Sequence, residues 1–151
     1  MVKKKPEEKQ EITKIGKPLK KEYIFTVGRR REAVARVRLY AKGEGAIVIN
    51  NKPVHEYFGG LASKDLYMMP FLTTNTVGRF DVTVRVTGGG TAGQLGAVVH
   101  GMARAIEKLD KEKYRGPLKK KGLLTRDART RERRMVGMGG KARRKKQSPK
   151  R

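Results

Sequence analysis

The most regular stretch of the chain lies between Phe80 and Thr87. There Phe80, Val82, Val84 and Val86 fall on one side of an extended backbone, and Asp81, Thr83, Arg85 and Thr87 fall on the other. The alternation predicts a strand buried on one face. A second alternation sets Ala35, Val37 and Leu39 against Arg36 and Arg38, predicting a half-buried strand whose outer face is basic. Upstream, Tyr23-Ile24-Phe25-Thr26-Val27 is a short β-prone run that Gly28 is expected to end. Lys42-Gly43-Glu44-Gly45 has turn chemistry, and Ala46-Ile47-Val48-Ile49 reads as the strand that follows it. Asn50-Asn51-Lys52-Pro53 breaks that strand, and Pro53 suits the first turn of a short helix through Phe58.

The period changes after Gly88-Gly89-Gly90. Leu95, Val99, Met102, Ile106 and Leu109 step by fours and threes, which predicts a helix with one apolar face. Thr91 and Gln94 have the spacing of a capping box at its start. Gly93, Gly96 and Gly101 each cost helix propensity, so the helix backbone is expected to approach something closely, either a strand below it or a partner above it. An earlier helix is predicted from Lys64, capped by Ser63 and kinked or restarted at Pro70. A later one is predicted over Lys111–Lys121, stopped by Gly122. These strands and helices read as one domain over residues 23–121. A Lys/Glu-rich extension, residues 1–22, precedes it and has too few apolar groups to order itself. A long basic tail, residues 122–151, follows it.

Charge changes this picture most. The chain of 151 residues carries 38 Lys and Arg against 14 Asp and Glu, a formal net charge of +24. The last 41 residues hold 18 of those cations against 3 acids, a net of +15. A one-signed excess of this size repels itself and calls for a polyanionic partner. Nucleic acid fits, because each phosphate contact releases condensed counterions. A membrane surface would call for a basic amphipathic helix with large apolar residues opposite, and none is present in the sequence. No apolar run has the length of a membrane span, and neither a secretory signal nor an organellar transit peptide is expected from the amino end.

Chemistry for catalysis is sparse. Cysteine is absent, which removes disulfides, thiolate metal sites and thiol nucleophiles. His55 and His100 are the two histidines and have no carboxylate cluster near them in sequence, so neither a metal nor another cofactor is expected. His100 reads instead as a polar helix residue able to meet RNA. The Gly88–Gly90 loop could cradle a phosphate on free backbone amides, or serve as a tight strand-to-helix turn, which is the commoner use. No Gly-Lys-Ser/Thr follows it, so it is not a nucleotide loop, and no small-molecule substrate is implied.

The binding candidates are therefore cationic. Arg29, Arg30, Arg31, Arg36 and Arg38 crowd the start of the sheet, and arginine rather than lysine favours bidentate phosphate contacts. Residues 122–151 could span up to roughly 100 Å if extended, a reach that a folded RNA can accommodate. No aromatic follows Tyr114, so the tail is expected to hold phosphates rather than stack bases.

Gly88-Gly89-Gly90-Thr91-Ala92-Gly93-Gln94, continuing through Ala97, His100-Gly101 and Arg104-Ala105, resembles the family of small-subunit ribosomal protein nine, bacterial in type. Gly28-Arg29-Arg30-Arg31 with Ala35-Arg36-Val37, Ile47–Asn50 and Tyr57-Phe58 are similar to its earlier segments. Leu124–Arg129 with Glu132-Arg133, Lys141–Arg144 and Lys150-Arg151 are similar to its tail. The resemblance covers about residues 23–151 and implies an α+β domain of the ribosomal protein S-five second-domain-like type, with a left-handed β-α-β crossover. It implies a place in the head of the small subunit on the 3′ major domain of its rRNA, beside neighbouring head proteins, in the cytoplasmic ribosome. The rRNA contacts implied are Arg29, Arg30, Arg31, Arg36, Arg38, Gly88, Gly89, Gly90, Gln94, His100, Arg104, Arg126, Arg129, Arg133, Arg134, Lys141, Arg143 and Arg144. Lys150 and Arg151 would touch the anticodon stem-loop of the peptidyl-site tRNA. The family often ends Gln-Phe-Ser-Lys-Arg, whereas here Gln147-Ser148-Pro149-Lys150-Arg151 lacks the aromatic. A ribonuclease P protein of similar fold is the rival reading, and the long carboxyl tail argues against it.

Overall fold

The computed structural model describes residues 22–59 and 64–131. Within them the strands are β1 (Tyr23–Arg30), β2 (Ala33–Tyr40), β3 (Ile47–Ile49), β4 (Lys52–Pro53) and β5 (Asp81–Thr87). The helices are α1 (Val54–Phe58), α2 (Lys64–Thr74), α3 (Thr91–Leu109) and α4 (Lys111–Lys120). The strands form one sheet in the order β1-β2-β5-β3-β4. β3 and β5 run parallel, the other neighbours antiparallel. Parallel neighbours need a crossover, and α1 and α2 lie within it. α3 packs on β1 and β2, and α2 and α4 pack on α3.

Alternation behaves as the hydrophobic pattern requires. Ala33, Ala35, Val37 and Leu39 of β2 are fully buried, as is Val82 of β5, with Val84 and Val86 nearly so. Gly28 does not end the first strand, contrary to expectation, because β1 continues to Arg30 and pairs Gly28 with Ala35. Its role is clearance. A Cβ at Gly28 would overlap the Ala97 carbonyl and the Gly101 amide of α3. The hairpin turns instead at Arg31-Glu32, with Arg31 in the left-handed region at φ 52°.

α3 shows what its glycines are for. Gly93, Ala97, Gly101 and Ala105 form a buried four-step row of small residues. Beneath them, a Cβ at Gly101 would stand 2.6 Å from Val37 Cγ2. The Thr26 hydroxyl donates to the Gly101 carbonyl at 2.8 Å. The close approach is to the strands below. Leu95, Val99 and Leu109, expected in the apolar face, are only half-buried, while Val98, Met102 and Ile106 are fully buried. The expected capping box does not form. Gly90 is the N-cap and Thr91 the first helical residue. The side chain of Gln94 is turned back to the Gly88 carbonyl, 3.1 Å away.

Other helix boundaries have local causes. Pro53 occupies the N-cap of α1, one residue before the expected first turn. α2 runs through Pro70 as one helix without the restart that was one expectation, and Pro70 is buried. Ser63 lies outside the described residues. Asp110 caps α4 by accepting from the Lys113 amide at 3.1 Å. Gly122, at φ 69°, ends it as expected: Gly122 N–H bonds to the Lys119 carbonyl (3.0 Å) and Leu123 N–H to that of Leu118 (3.1 Å). Leu118 is fully buried, and Leu123 and Leu124 pack against the core. Among the described residues no helix is long and apolar enough to cross a membrane.

Candidate nucleic-acid interface

Among the described residues the sheet carries helices on one face and leaves the other open, so strand alternation decides which side chains it offers. β1 turns Tyr23, Phe25, Val27 and Arg29 outward; β2 turns Val34, Arg36, Arg38 and Tyr40. β5 adds Asp81, Thr83, Arg85 and Thr87. In register, Arg36 lies between Val27 and Arg85, and Arg38 lies between Phe25 and Thr83. The Arg36–Arg85 pair sets two like charges directly opposite, which costs stability unless an anion sits between or above them. The Arg38 guanidinium stands 5.1 Å from the Tyr23 ring centroid. Tyr23 in turn meets Tyr40 at 6.0 Å between centroids. The carboxylate on this face is already engaged: Asp81 Oδ1 accepts from the backbone amides of Glu44, Gly45 and Ala46 at 2.9, 3.1 and 3.0 Å. Arg85 was not among the sequence-derived candidates. Its alternation placed it on this face, but only the register opposite Arg36 makes it part of the patch.

Arg30 belongs elsewhere. Its position in β1 directs it to the helix side, where it lies along Gly96 of α3. Its Nε is 3.2 Å from Asp127 Oδ2, and Nη1 donates to the Ala92 carbonyl at 3.4 Å. Asp127 also receives Arg129 in a two-pronged pair, with Nε to Oδ1 and Nη2 to Oδ2 both at 2.9 Å. Those hydrogen bonds, then the Arg129 amide and the charges of Arg129 and Arg30, hold the Asp127 carboxyl well below the usual carboxylate range. One carboxylate thus joins the hairpin, α3 and the segment beyond α4. Arg31 sits exposed at the hairpin tip, and Arg126 is exposed beside this clamp.

His100 and Arg104 guard the free edge of β1. The Arg29 amide donates to His100 Nδ1 at 3.4 Å, and Arg104 Nη1 donates to the Val27 carbonyl. Burial depresses the His100 pKa, and the charges of Arg104 and Arg126 add to this against an opposing hydrogen bond to the Leu124 backbone. The imidazole is therefore neutral near pH 7, as its acceptor role requires. Alongside runs an open groove lined by Phe25, Thr26, Val27, Arg104, Glu107, Lys108 and Lys111. Glu107 is paired with Arg115 at 2.8 Å.

The glycine loop is a compact turn. Gly88 and Gly89 have φ of 76° and 63°, and a Cβ added at either would press on Glu32 or Ala33. Gln94 braces it: Oε1 accepts from the Tyr57 hydroxyl (3.0 Å) while Nε2 holds Gly88. Tyr57 accepts from Asn50 Nδ2 at 3.2 Å. The Asn50 amide also bonds both the N–H and the carbonyl of Val86, each at 3.0 Å. Asn50 thus replaces the backbone partner that Val86 would have had if β3 continued. Both ends of the Gln94 amide are bonded within the domain, a use that the sequence did not reveal. Arg133, Arg134, Lys141, Arg143, Arg144, Lys150 and Arg151 lie outside the described residues. Among the described residues no three His, Cys, Asp or Glu side chains gather as a metal site.

The amino-acid sequence also matches known proteins. The family model described as ribosomal protein S9/S16 matches residues 28–151. The small ribosomal subunit protein uS9 of Dehalococcoides mccartyi is 48% identical over 119 residues, covering 79% of this chain and 89% of that protein. Its counterpart in Maridesulfovibrio salexigens is 47% identical over 122 residues, covering 81% and 92%.

Proposed function

The chain belongs to the ribosomal protein S9/S16 family, and from that membership we propose that it is a structural constituent of the small ribosomal subunit, binding rRNA and catalysing no reaction. The observation that carries this reading is the open sheet face. Arg36, Arg38 and Arg85 stand there in register, and the carboxylate of Asp81 is bound to the 44–46 loop. Phosphates supply the missing counter-charge. Arg29 and Arg31 extend the patch, and Arg104, Lys108 and Lys111 border the groove beside β1. Arg126 and Arg129 continue it toward the tail.

Within that reading the residues divide by task. Arg30 and Gln94 support the interface from inside, Arg30 through Asp127 and Gln94 through the Gly88 loop, whose Gly90 is the N-cap of α3. His100 contributes as a neutral acceptor that shapes the β1 edge. Residues 23–121 form the RNA-binding domain, with residues 1–22 as an appended extension. The tail, residues 122–151, begins docked through Leu123, Leu124 and Asp127. Beyond it, Arg133, Arg134, Lys141, Arg143 and Arg144 follow rRNA. Lys150 and Arg151 reach the anticodon stem-loop of the peptidyl-site tRNA. The site of action is the head of the small subunit, on the 3′ major domain of its rRNA and beside other head proteins, in the cytoplasmic ribosome. The parallel β3–β5 pair with α1 and α2 between them supports a ribosomal protein S-five second-domain-like topology.

The test is crosslink mapping from Arg36 and Arg151 on purified small subunits. Crosslinks from Arg36 to the head rRNA and from Arg151 to bound tRNA are expected. Failure of the chain to co-sediment with small subunits would refute the reading. So would RNA binding that is equally strong at low and high salt, since phosphate contacts impose a steep salt dependence. Deleting Lys141–Arg151 should weaken tRNA holding more than subunit assembly.

A further inference from the structure

We propose that the open sheet face is a stacking platform for an unpaired stretch of RNA, with Tyr23 and Phe25 each seating a base while Arg36, Arg38 and Arg85 hold the phosphates around them. The inference rests on the rRNA-binding reading and adds which form of RNA this face takes and by what contacts.

Of the three aromatic side chains on that face Tyr40 is buried, while Tyr23 and Phe25 stay exposed at 49% and 45%. Burying either would favour folding, yet the sheet turns both outward. Tyr23 is held in place rather than loose, tilted against Tyr40 and under the Arg38 guanidinium. Such a ring is ready to accept a base with little loss of side-chain freedom. Duplex RNA has no use for it, because an A-form helix presents phosphates, hydroxyls and base edges but keeps its base faces stacked inside. An unpaired strand exposes base faces, and aromatic side chains take them whatever the sequence.

Spacing points the same way. Tyr23 and Phe25 are two residues apart on one strand, about 6.8 Å at roughly 3.4 Å per residue. Nucleotides stacked on one another rise only about 3.4 Å each. Bases seated on the two rings are therefore drawn apart from each other, which a paired strand does not permit. The cations lie on the neighbouring strands. Arg38 is directly across from Phe25, and Arg36 and Arg85 face each other one register step further along. A strand of nucleotides laid over β1 would so have its backbone over the guanidinium row of β2 and β5. The same row makes a protein partner the weaker fit, since that partner would have to bring an acidic surface and leave the like pair Arg36–Arg85 answered.

The experiment uses the full chain in two settings. In the first, a photoreactive benzoylphenylalanine replaces Phe25 in purified small subunits, with the same replacement at exposed Leu72 of α2 as the control. Crosslinking from position 25 to rRNA nucleotides that lack a pairing partner is expected. Crosslinking to a ribosomal protein, or only to paired nucleotides, would overturn the proposal. In the second, binding of an unpaired oligonucleotide and of a duplex of equal length is measured for Tyr23→Ala, Phe25→Ala, Arg36→Gln and Arg85→Gln. Each aromatic loss should weaken unpaired RNA binding by about five- to a hundredfold and leave the duplex affinity and the salt slope as they were. Each arginine loss should weaken both RNAs and reduce the salt slope by about one. Equal losses for unpaired and duplex RNA on removing the aromatics would also refute it. If the unaltered chain enters small subunits but the aromatics prove dispensable, only this inference fails; if it does not enter them, the rRNA-binding reading itself fails.

Discussion

Replacing Gly28 by alanine tests how the domain is held together, because a single methyl group there meets backbone on the opposite element. The new Cβ overlaps the Ala97 carbonyl and the Gly101 amide and Cα. None of these atoms can rotate aside as a side chain would, so α3 must lift from β1 and β2. Lifting stretches the Thr26–Gly101 hydrogen bond and loosens the contact between Gly101 and Val37. Overpacking a tight interior costs about 1–3 kcal/mol, and a backbone obstruction puts this case near about 3 kcal/mol. Against a total stability of about 5–15 kcal/mol the variant still folds. Its melting temperature should fall by about 12–24 °C, at about 4–8 °C per kcal/mol for a domain of this size. In urea the midpoint should drop by about 1–3 M, taking a slope of about 1–3 kcal/mol per M. Both are read by circular dichroism on the full chain at one fixed salt concentration, since the +24 charge makes stability depend on screening. Gly90→Ser is the matched control: a Cβ at Gly90 meets nothing within 4 Å, and the N-cap position gains or loses only about a few tenths of a kcal/mol. If Gly28→Ala melts within about 0.5 kcal/mol of the unaltered chain, the close approach of α3 to β1 is not what selects glycine there.

Asp127→Asn should release the clamp on Arg30 and Arg129, so trypsin cuts after Arg126 and Arg129 sooner while the melting temperature of the domain barely moves; unchanged cleavage would show that the clamp does not hold the segment. The depressed pKa of Asp127 means that this contact is complete above the ordinary carboxylate range and weakens as pH falls well below it, which NMR titration of the Asp127 carboxyl checks. His100 also titrates below its usual value, so the folded chain binds fewer protons than the unfolded one and stability should decline as pH falls from about 6.5. In His100→Gln that part of the pH profile should flatten, and a profile of the same slope would assign it to other groups. Asn50→Ala should cost about 1–2 kcal/mol, because Val86 loses both side-chain partners and alanine is strained at the φ of 48° that Asn50 adopts. Urea unfolding measures it, and a loss under about 0.5 kcal/mol would mean that water substitutes for the amide.

What could be read of the interface from the sequence followed from how local each signal is. Arg36 and Arg38 were legible as an outward pair because a strand's side chains alternate, whatever the strand packs on. Arg30 stands in the same basic run as Arg29 and Arg31, yet one step of the pleat sends it to the helix side, to a carboxylate 97 positions away. Gln94 had the spacing of a capping box, and a distant tyrosine and the glycine loop claimed its amide instead. Tyr23 and Phe25 resemble any β-prone pair until the order of strands shows that no described helix packs on their face.

Residue type and spacing along the chain were sufficient to determine the inward faces of β2 and β5, the stop at Gly122, and the need for a polyanion. These depend on backbone sterics, on a repeat of two or nearly four residues, and on net charge, all of which act without knowledge of what lies far off in the chain. Tertiary structure alone decided that Gly28 stays within a strand, that the small residues of α3 face the sheet, that Asp81 is bound to the 44–46 loop, and that Arg85 joins Arg36. Each of these is a contact between distant segments, set by which strands neighbour one another and how closely a helix can lie upon them.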